Sequence, residues 1–147
     1  MKNVANTEGR RYSYLTSEIE ASYHEAASKF KLSDSAMRIL YTICLKGEEG
    51  LLSDIVRLSG ISKQTINSSL RKLETDGIVY LKTADSRKKK VCLTEKGKAL
   101  AQNSALQVLR FENEILDSWT EEEQQVYIEL TERFLSSFKE KIKEIKA

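Results

Sequence analysis

The sequence predicts a mostly α chain with a small β-ribbon, and three observations carry that reading. Apolar residues recur every three or four positions through most of the chain, which is the spacing of one buried helix face. Two short stretches break this rhythm: residues 78–82 and 90–93 read as strands on either side of a charged turn. Two short helical stretches meet at Gly60 just before that ribbon, the arrangement of a helix-turn-helix followed by a wing. Together these give a winged helix-turn-helix domain over residues 33–94, flanked by N- and C-terminal dimerisation helices over residues 1–32 and 95–147.

Taken in order, the first residues are polar and are expected to be loose. A helical pattern begins at about Arg11, where Tyr12, Leu15, Ile19, Tyr23 and Phe30 make an apolar stripe along several turns. The stripe either packs against another helix or lets its tyrosines (Tyr12, Tyr14, Tyr23) line a ligand cavity. His24 beside it reads as a surface or packing histidine, with a pH- or ligand-sensing role as the sharper alternative. Ser33 can cap a second helix whose inward set is Ala36, Met37, Leu40, Ile43 and Cys44, ending near Gly47. The stretch KGEEG then reads as a turn. Ser53 or a neighbour starts a short helix with Ile55, Val56 and Leu58 as its apolar residues, closed by Gly60.

Ser62 caps the next helix, whose stripe of Ile66, Leu70 and Leu73 faces inward. Its other face carries Lys63, Gln64, Asn67, Ser68 and Arg71, with Thr65 near its start, a row of donors and acceptors suited to base-pair edges. Gly77 supplies a helix stop. The ribbon that follows carries Lys82, Arg87, Lys88, Lys89 and Lys90 against a single acid, Asp85. From residue 62 to 98 there are ten Lys/Arg and four Asp/Glu, a local charge of +6 in a chain whose net charge is only +2. Such asymmetry points to a polyanion approached by one surface, with a solvated charged loop as the plainer alternative.

Thr94 opens a helix that runs past Leu100, Ala105, Val108 and Leu116, with a break near Trp119. Thr120 and Glu123 have capping-box spacing and open a last helix bearing Val126, Tyr127, Leu130, Phe134, Phe138, Ile142 and Ile145. Apolar surface left in water costs roughly 25 cal/mol per Å², so this stripe calls for a partner. The simplest is a second copy, joined through Tyr12, Leu15 and Ile19 together with Val126, Leu130, Phe134, Phe138 and Ile142. A homodimer of this kind would set two recognition helices roughly 34 Å apart. The alternative is a bundle within one chain.

Several classes are excluded. At 147 residues with 40% hydrophobic content the chain can bury a core. One histidine and no CxxC offer no zinc set, and no cofactor is expected. Cys44 lies in an apolar run and Cys92 in the second strand, so both read as small buried or half-buried side chains; only a half-exposed Cys92, beside Lys89 and Lys90, would have its thiol pKa lowered. No secretion signal opens the chain and no apolar run approaches a membrane span, so a cytoplasmic protein with no membrane partner is expected. An enzyme would need a nucleophile or acid–base cluster, and none is legible. The better rival is a winged-helix module that binds another protein and has no effector.

The spacing from Asp85 and Arg87 through five residues to Leu93-Thr94 and then Gly97 matches a D-x-R…L-T-x-x-G pattern. With GISKQTINSSLRKLETDGIV and WTEEE in the same order, the chain resembles the multiple-antibiotic-resistance regulator (MarR) family of winged-helix transcription factors over essentially its whole length. The resemblance implies a homodimer on a pseudo-palindromic operator in double-stranded DNA, usually a repressor released by a small, often aromatic, molecule. It implies that Arg87 enters the minor groove and that Asp85 orients it or ties the wing to the body. The recognition positions would be Ser62, Lys63, Gln64, Thr65, Asn67, Ser68 and Arg71, with Lys88, Lys89 and Lys90 adding charge at the wing. Two departures stand out: Ser68 where many members carry a basic residue, and Ser69 at a commonly apolar position. Asn67 and Gln64 can each read adenine, which favours an A·T-rich operator. Cysteine-based sensors in the family place the thiol in the first helix, and none is there, so redox sensing is not expected.

Overall fold

The computed structural model describes Val4 and residues 6–146; residues 1–3, within the N-terminal stretch expected to be loose, lie outside it. In chain order the elements are α1 (Thr7–Lys29), α2 (Asp34–Leu45), β1 (Glu49–Leu51), α3 (Leu52–Ser59), α4 (Lys63–Thr75), β2 (Val79–Thr83), β3 (Lys89–Leu93), α5 (Glu95–Gln102), α6 (Ala105–Asp117) and α7 (Glu121–Ile142). A single 3₁₀ turn, Asp85–Arg87, joins β2 to β3. The chain divides into two compact units, one through Leu109 and one from Arg110.

In the first unit α2 is the central rod. Ser33 accepts from the Ala36 amide to start it, and Ile39, Leu40 and Ile43 are completely buried along it. Ile55 of α3, Ile66 of α4 and Val91 of β3 close around them. Each comes from the apolar stripe of its own element, so three helices and a sheet bury one face apiece. The core extends beyond residues 33–94, taking in Ala27 at the end of α1, Ala101 of α5, and Ala105 and Val108 of α6. The rest of α1 exposes its apolar residues, Tyr12, Leu15 and Ile19 among them.

Three local readings change. Helix α1 begins at Thr7 rather than Arg11, because Asn6 accepts from the Gly9 amide at 2.6 Å and caps it. The ribbon is not two-stranded: part of the KGEEG stretch forms β1, giving a three-stranded antiparallel sheet in the order β1-β3-β2. Glu49 lies opposite Cys92 and Leu51 opposite Lys90, so β1 covers the outer edge of β3. The helix expected to run from Thr94 to Leu116 is broken at Asn103 and Ser104. Their side chains donate back to the carbonyls of Ala99 and Leu100, and Ser104 is buried there, which favours a turn over helix continuation. On α3, Ile55 and Ser59 face the core, while Leu58 is 44% exposed.

Gly97 explains the L-T-x-x-G spacing. A Cβ on it would sit 2.0 Å from the Ile78 carbonyl oxygen, so α5 approaches the exit of α4 at a distance only glycine allows. Thr94 completes the tie: its hydroxyl donates to the carbonyl of Gly77 at 2.6 Å and accepts from the Gly97 amide at 2.9 Å.

In the second unit the capping box forms as the sequence predicts, with the Thr120 amide donating to Glu123 at 2.9 Å and the Glu123 amide to Thr120 at 3.1 Å. Trp119 meets Tyr127 edge-on at 5.2 Å between centroids. Helix α7 buries none of its residues; Val126, Leu130, Phe134, Phe138 and Ile142 recur four apart and are all exposed. No helix among the described residues is long and apolar enough to cross a membrane.

Candidate nucleic-acid interface

Helix α4 presents the polar row that its periodicity predicts. Ile66, Leu70 and Leu73 fix its inward side, which leaves Gln64, Ser68 and Arg71 exposed on the opposite side. Lys63 is exposed and Asn67 half-buried, both turned toward the ribbon. With Arg71, Leu81 and Lys89 they line a cleft of about 420 Å³. A neighbouring cleft of about 390 Å³ is bounded by Ser53, Val56, Lys63, Lys88 and Lys89. The helix and the wing thus share a basic furrow, and Lys63 and Lys89 border both halves of it. Ser62 and Thr65 are more committed to the helix start. The Ser62 hydroxyl accepts from the Thr65 amide at 3.3 Å and donates to the Thr65 hydroxyl at 3.0 Å.

The ribbon pairs Tyr80 with Cys92, Lys82 with Lys90 and Thr83 with Lys89, and the Ala84 amide closes the tip on the Lys88 carbonyl. Arg87 sits at that tip with φ 64°, a left-handed conformation rare for a side chain other than glycine. Arg87, Lys88 and Lys89 are exposed, and none is ion-paired among the described residues.

The surroundings of Asp85 and Cys92 sharpen the sequence reading. Asp85 has no ion pair or side-chain hydrogen bond among the described residues, so the acid that ties the ribbon to the body is another one. Glu49 on β1 does so. Its carboxylate accepts from Lys90 at 3.0 Å and from Lys82 at 3.0 Å, and hydrogen bonds from these two ammonium groups hold its pKa down to about 2. Lys90, grouped by sequence with the free basic residues of the tip, is therefore half-buried and paired. Cys92 takes the buried alternative. Burial, and then its hydrogen bond to Glu49, raise its thiol pKa instead of lowering it. Burial also raises that of Cys44.

Ser69 does not belong to the outward face. Its hydroxyl hydrogen-bonds that of Ser35 at the start of α2, which explains a serine where an apolar side chain is expected: the position is a polar tie between α2 and α4. Glu49 and Ser69 carried no signal as partners, since each is local in sequence to a turn or a helix and meets its partner across the fold.

A separate cavity of about 240 Å³ lies against α1 and α2, lined by Tyr23, His24, Asp34, Arg38, Tyr41 and Val108 among others. Of the three N-terminal tyrosines only Tyr23 lines it. His24 Nδ1 lies 2.8 Å from Asp34, and the Arg38 guanidinium stands 5.7 Å from the Tyr41 ring centroid.

A family model described as the ArnR1-like winged-helix domain matches residues 23–110, more than half of the chain. The chain belongs to this family. The match takes in α2 through α5, and with them the recognition row and the whole wing. Solved structures extend the likeness in fold over nearly all of the chain. A MarR family regulator from Neisseria meningitidis is 17% identical with a TM-score of 0.81, covering 96% of this chain and 100% of its own. MepR of S. aureus, solved in complex with DNA, is 20% identical at a TM-score of 0.67, covering 91% and 99%. BpsR of Bordetella bronchiseptica, whose DNA binding is regulated by 6-hydroxynicotinic acid, is 16% identical at 0.64, covering 91% and 98%. No curated protein sequence matches the chain. The resemblance to MarR regulators read from the wing motif is thus borne out in the fold.

Proposed function

We propose that the protein is a DNA-binding transcriptional regulator, a homodimeric repressor that places α4 in the major groove and the Arg87 tip in the adjacent minor groove. The observation that carries this reading is the shared furrow: an exposed polar row on α4 borders a wing whose Arg87, Lys88 and Lys89 have no acid partner among the described residues. A polyanion is the ligand that such a furrow would favour, and the like-folded MepR was solved on DNA. The uncovered apolar face of α7 supports a second copy as partner, which would fit a two-fold operator. The cavity beside Tyr23 and Tyr41 supports a small aromatic effector, as the control of BpsR by 6-hydroxynicotinic acid also suggests. Such a ligand releases DNA only through its differential affinity for two arrangements of the protein, typically about 1–3 kcal/mol.

Selection of bound sequences from a random duplex pool, followed by a gel-shift titration, tests the reading. Arg87→Ala should weaken binding to the selected duplex by about 1–3 kcal/mol while the protein stays folded. Unchanged affinity would remove the wing from the interface, and no binding to any duplex would favour a protein-interaction module.

A further inference from the structure

We propose that Glu49 is a positioning residue that withholds two of the ribbon's lysines from DNA and so confines the wing's usable charge to its tip; this rests on the DNA-binding reading above. Side chains alternate across the sheet, so Val91 and Leu93 point into the core and Lys90 and Cys92 to the outer face. Register then places Tyr80 and Lys82 of β2 on that face, and Glu49 of β1 completes it.

Lys82 and Lys90 lie directly opposite each other, a like-charge pairing that is unfavourable in an antiparallel ladder. One carboxylate resolves it. Oε2 of Glu49 lies 3.0 Å from the Lys82 ammonium, Oε1 lies 3.0 Å from that of Lys90, and the Cys92 thiol donates to Oε2 at 3.5 Å. Each lysine commits a donor, and much of its charge, to an acid of the same sheet. Phosphate must compete with that carboxylate for their charge. Arg87, Lys88 and Lys89 at the tip face no such competitor, being exposed and free of ion pairs among the described residues.

A wing charged only at its tip contacts DNA where Arg87 is placed. A wing charged along both strands would hold any duplex that lay alongside it, because phosphate attraction is blind to sequence. The inference is therefore about selectivity as well as affinity.

The test compares wild type, Glu49→Gln, and the double variant Lys82→Gln/Lys90→Gln, each bound to a selected duplex and to a random duplex of equal length across a salt series. The log of affinity falls by roughly 0.9 per log unit of salt for each phosphate neutralised. In the expected result the double variant keeps the wild-type slope. Glu49→Gln steepens it by as much as about 1.8, two lysines' worth, and tightens binding to the random duplex more than to the selected one. A double variant with a shallower slope would overturn the proposal, since the lysines would then already contact phosphate. So would a folded Glu49→Gln with an unaltered slope. If Glu49→Gln does not fold, the double lysine variant decides alone. Absence of wild-type binding to either duplex would instead sink the DNA-binding reading itself.

Discussion

The two units of this chain handle the same apolar periodicity in opposite ways. In the first, the stripe of α2 disappears into the core, and Ile39, Leu40 and Ile43 have no solvent exposure. In the second, α7 carries a stripe of similar regularity, and every residue in it remains outside. Periodicity therefore identifies a face and says nothing about what covers it. The first stripe is matched by Ile55, Ile66 and Val91 from neighbouring elements; the second meets local partners, such as Trp119 against Tyr127 and Phe134 beside Phe138 at 5.8 Å, and stays exposed. If a second chain covers this surface, as proposed above, stability in the two regions should depend differently on protein concentration.

That contrast can be broken most directly by truncating one residue in each stripe. Ile43→Ala should cost about 2–5 kcal/mol, the range for removing a buried branched side chain, and the loss should be the same at every protein concentration. Phe134→Ala should act chiefly on self-association, shifting the monomer–dimer equilibrium in sedimentation. A concentration-independent loss as large as that of Ile43→Ala would show that α7 is covered within its own chain. Gly97→Ala comes next. Its new Cβ would run into the Ile78 carbonyl, backbone that cannot swing aside, so destabilisation by at least about 1–3 kcal/mol is expected in denaturant unfolding. It would separate the core of the first unit from its ties: a neutral result would mean that α5 is free to move off the exit of α4.

Much of the first unit was legible in the sequence because its signals are local. Ser33, Ser62 and Thr94 each cap the helix they precede, and Ile66, Leu70 and Leu73 are buried as their spacing requires. What was missed depends on partners far along the chain. Nothing in KGEEG resembles a strand; β1 exists because β3 offers it an edge, and Glu49 finds Lys82 and Lys90 only once that edge is formed. Cys92 illustrates the same limit. Its lysine neighbours in sequence would lower its pKa only if it were half exposed, and the sheet instead buries it and sets a carboxylate beside it. The recognition row was legible as a face, yet its division into an outer side (Gln64, Ser68) and a ribbon-facing edge (Lys63, Asn67, Arg71) needed the position of the wing.

A smaller effect tests how the second unit is held at its start. Thr120→Ala removes a hydroxyl that accepts the Glu123 amide, leaving one reciprocal bond of the box, and should cost about 0.5–2 kcal/mol. In the first unit the capped helices α2 and α4 are also held by side chains buried along their length. In the second, α7 has no buried residue to compensate, so the loss should appear as fraying of its first turn in amide exchange. Protection unchanged at that turn would mean that α7 is ordered by something other than its cap.

The smallest expected effect sharpens what makes an exposed apolar residue significant. Leu58 on α3 is 44% exposed and Leu130 on α7 is 52% exposed, so exposure alone scarcely distinguishes them. Their surroundings do. Leu130 lies midway between Val126 and Phe134 in a continuous stripe, whereas Leu58 neighbours Arg57 and Ser59 on a short helix whose inward side is Ile55. Isolated exposed leucines are ordinary on protein surfaces, and contiguous patches mark contact sites. Leu58→Ser should thus change stability by less than about 0.5 kcal/mol and leave self-association untouched. Leu130→Ser, with the same chemistry at similar exposure, should weaken the dimer. Equal responses of the two variants in sedimentation would mean that contiguity is not what distinguishes α7, and that the partner surface lies elsewhere.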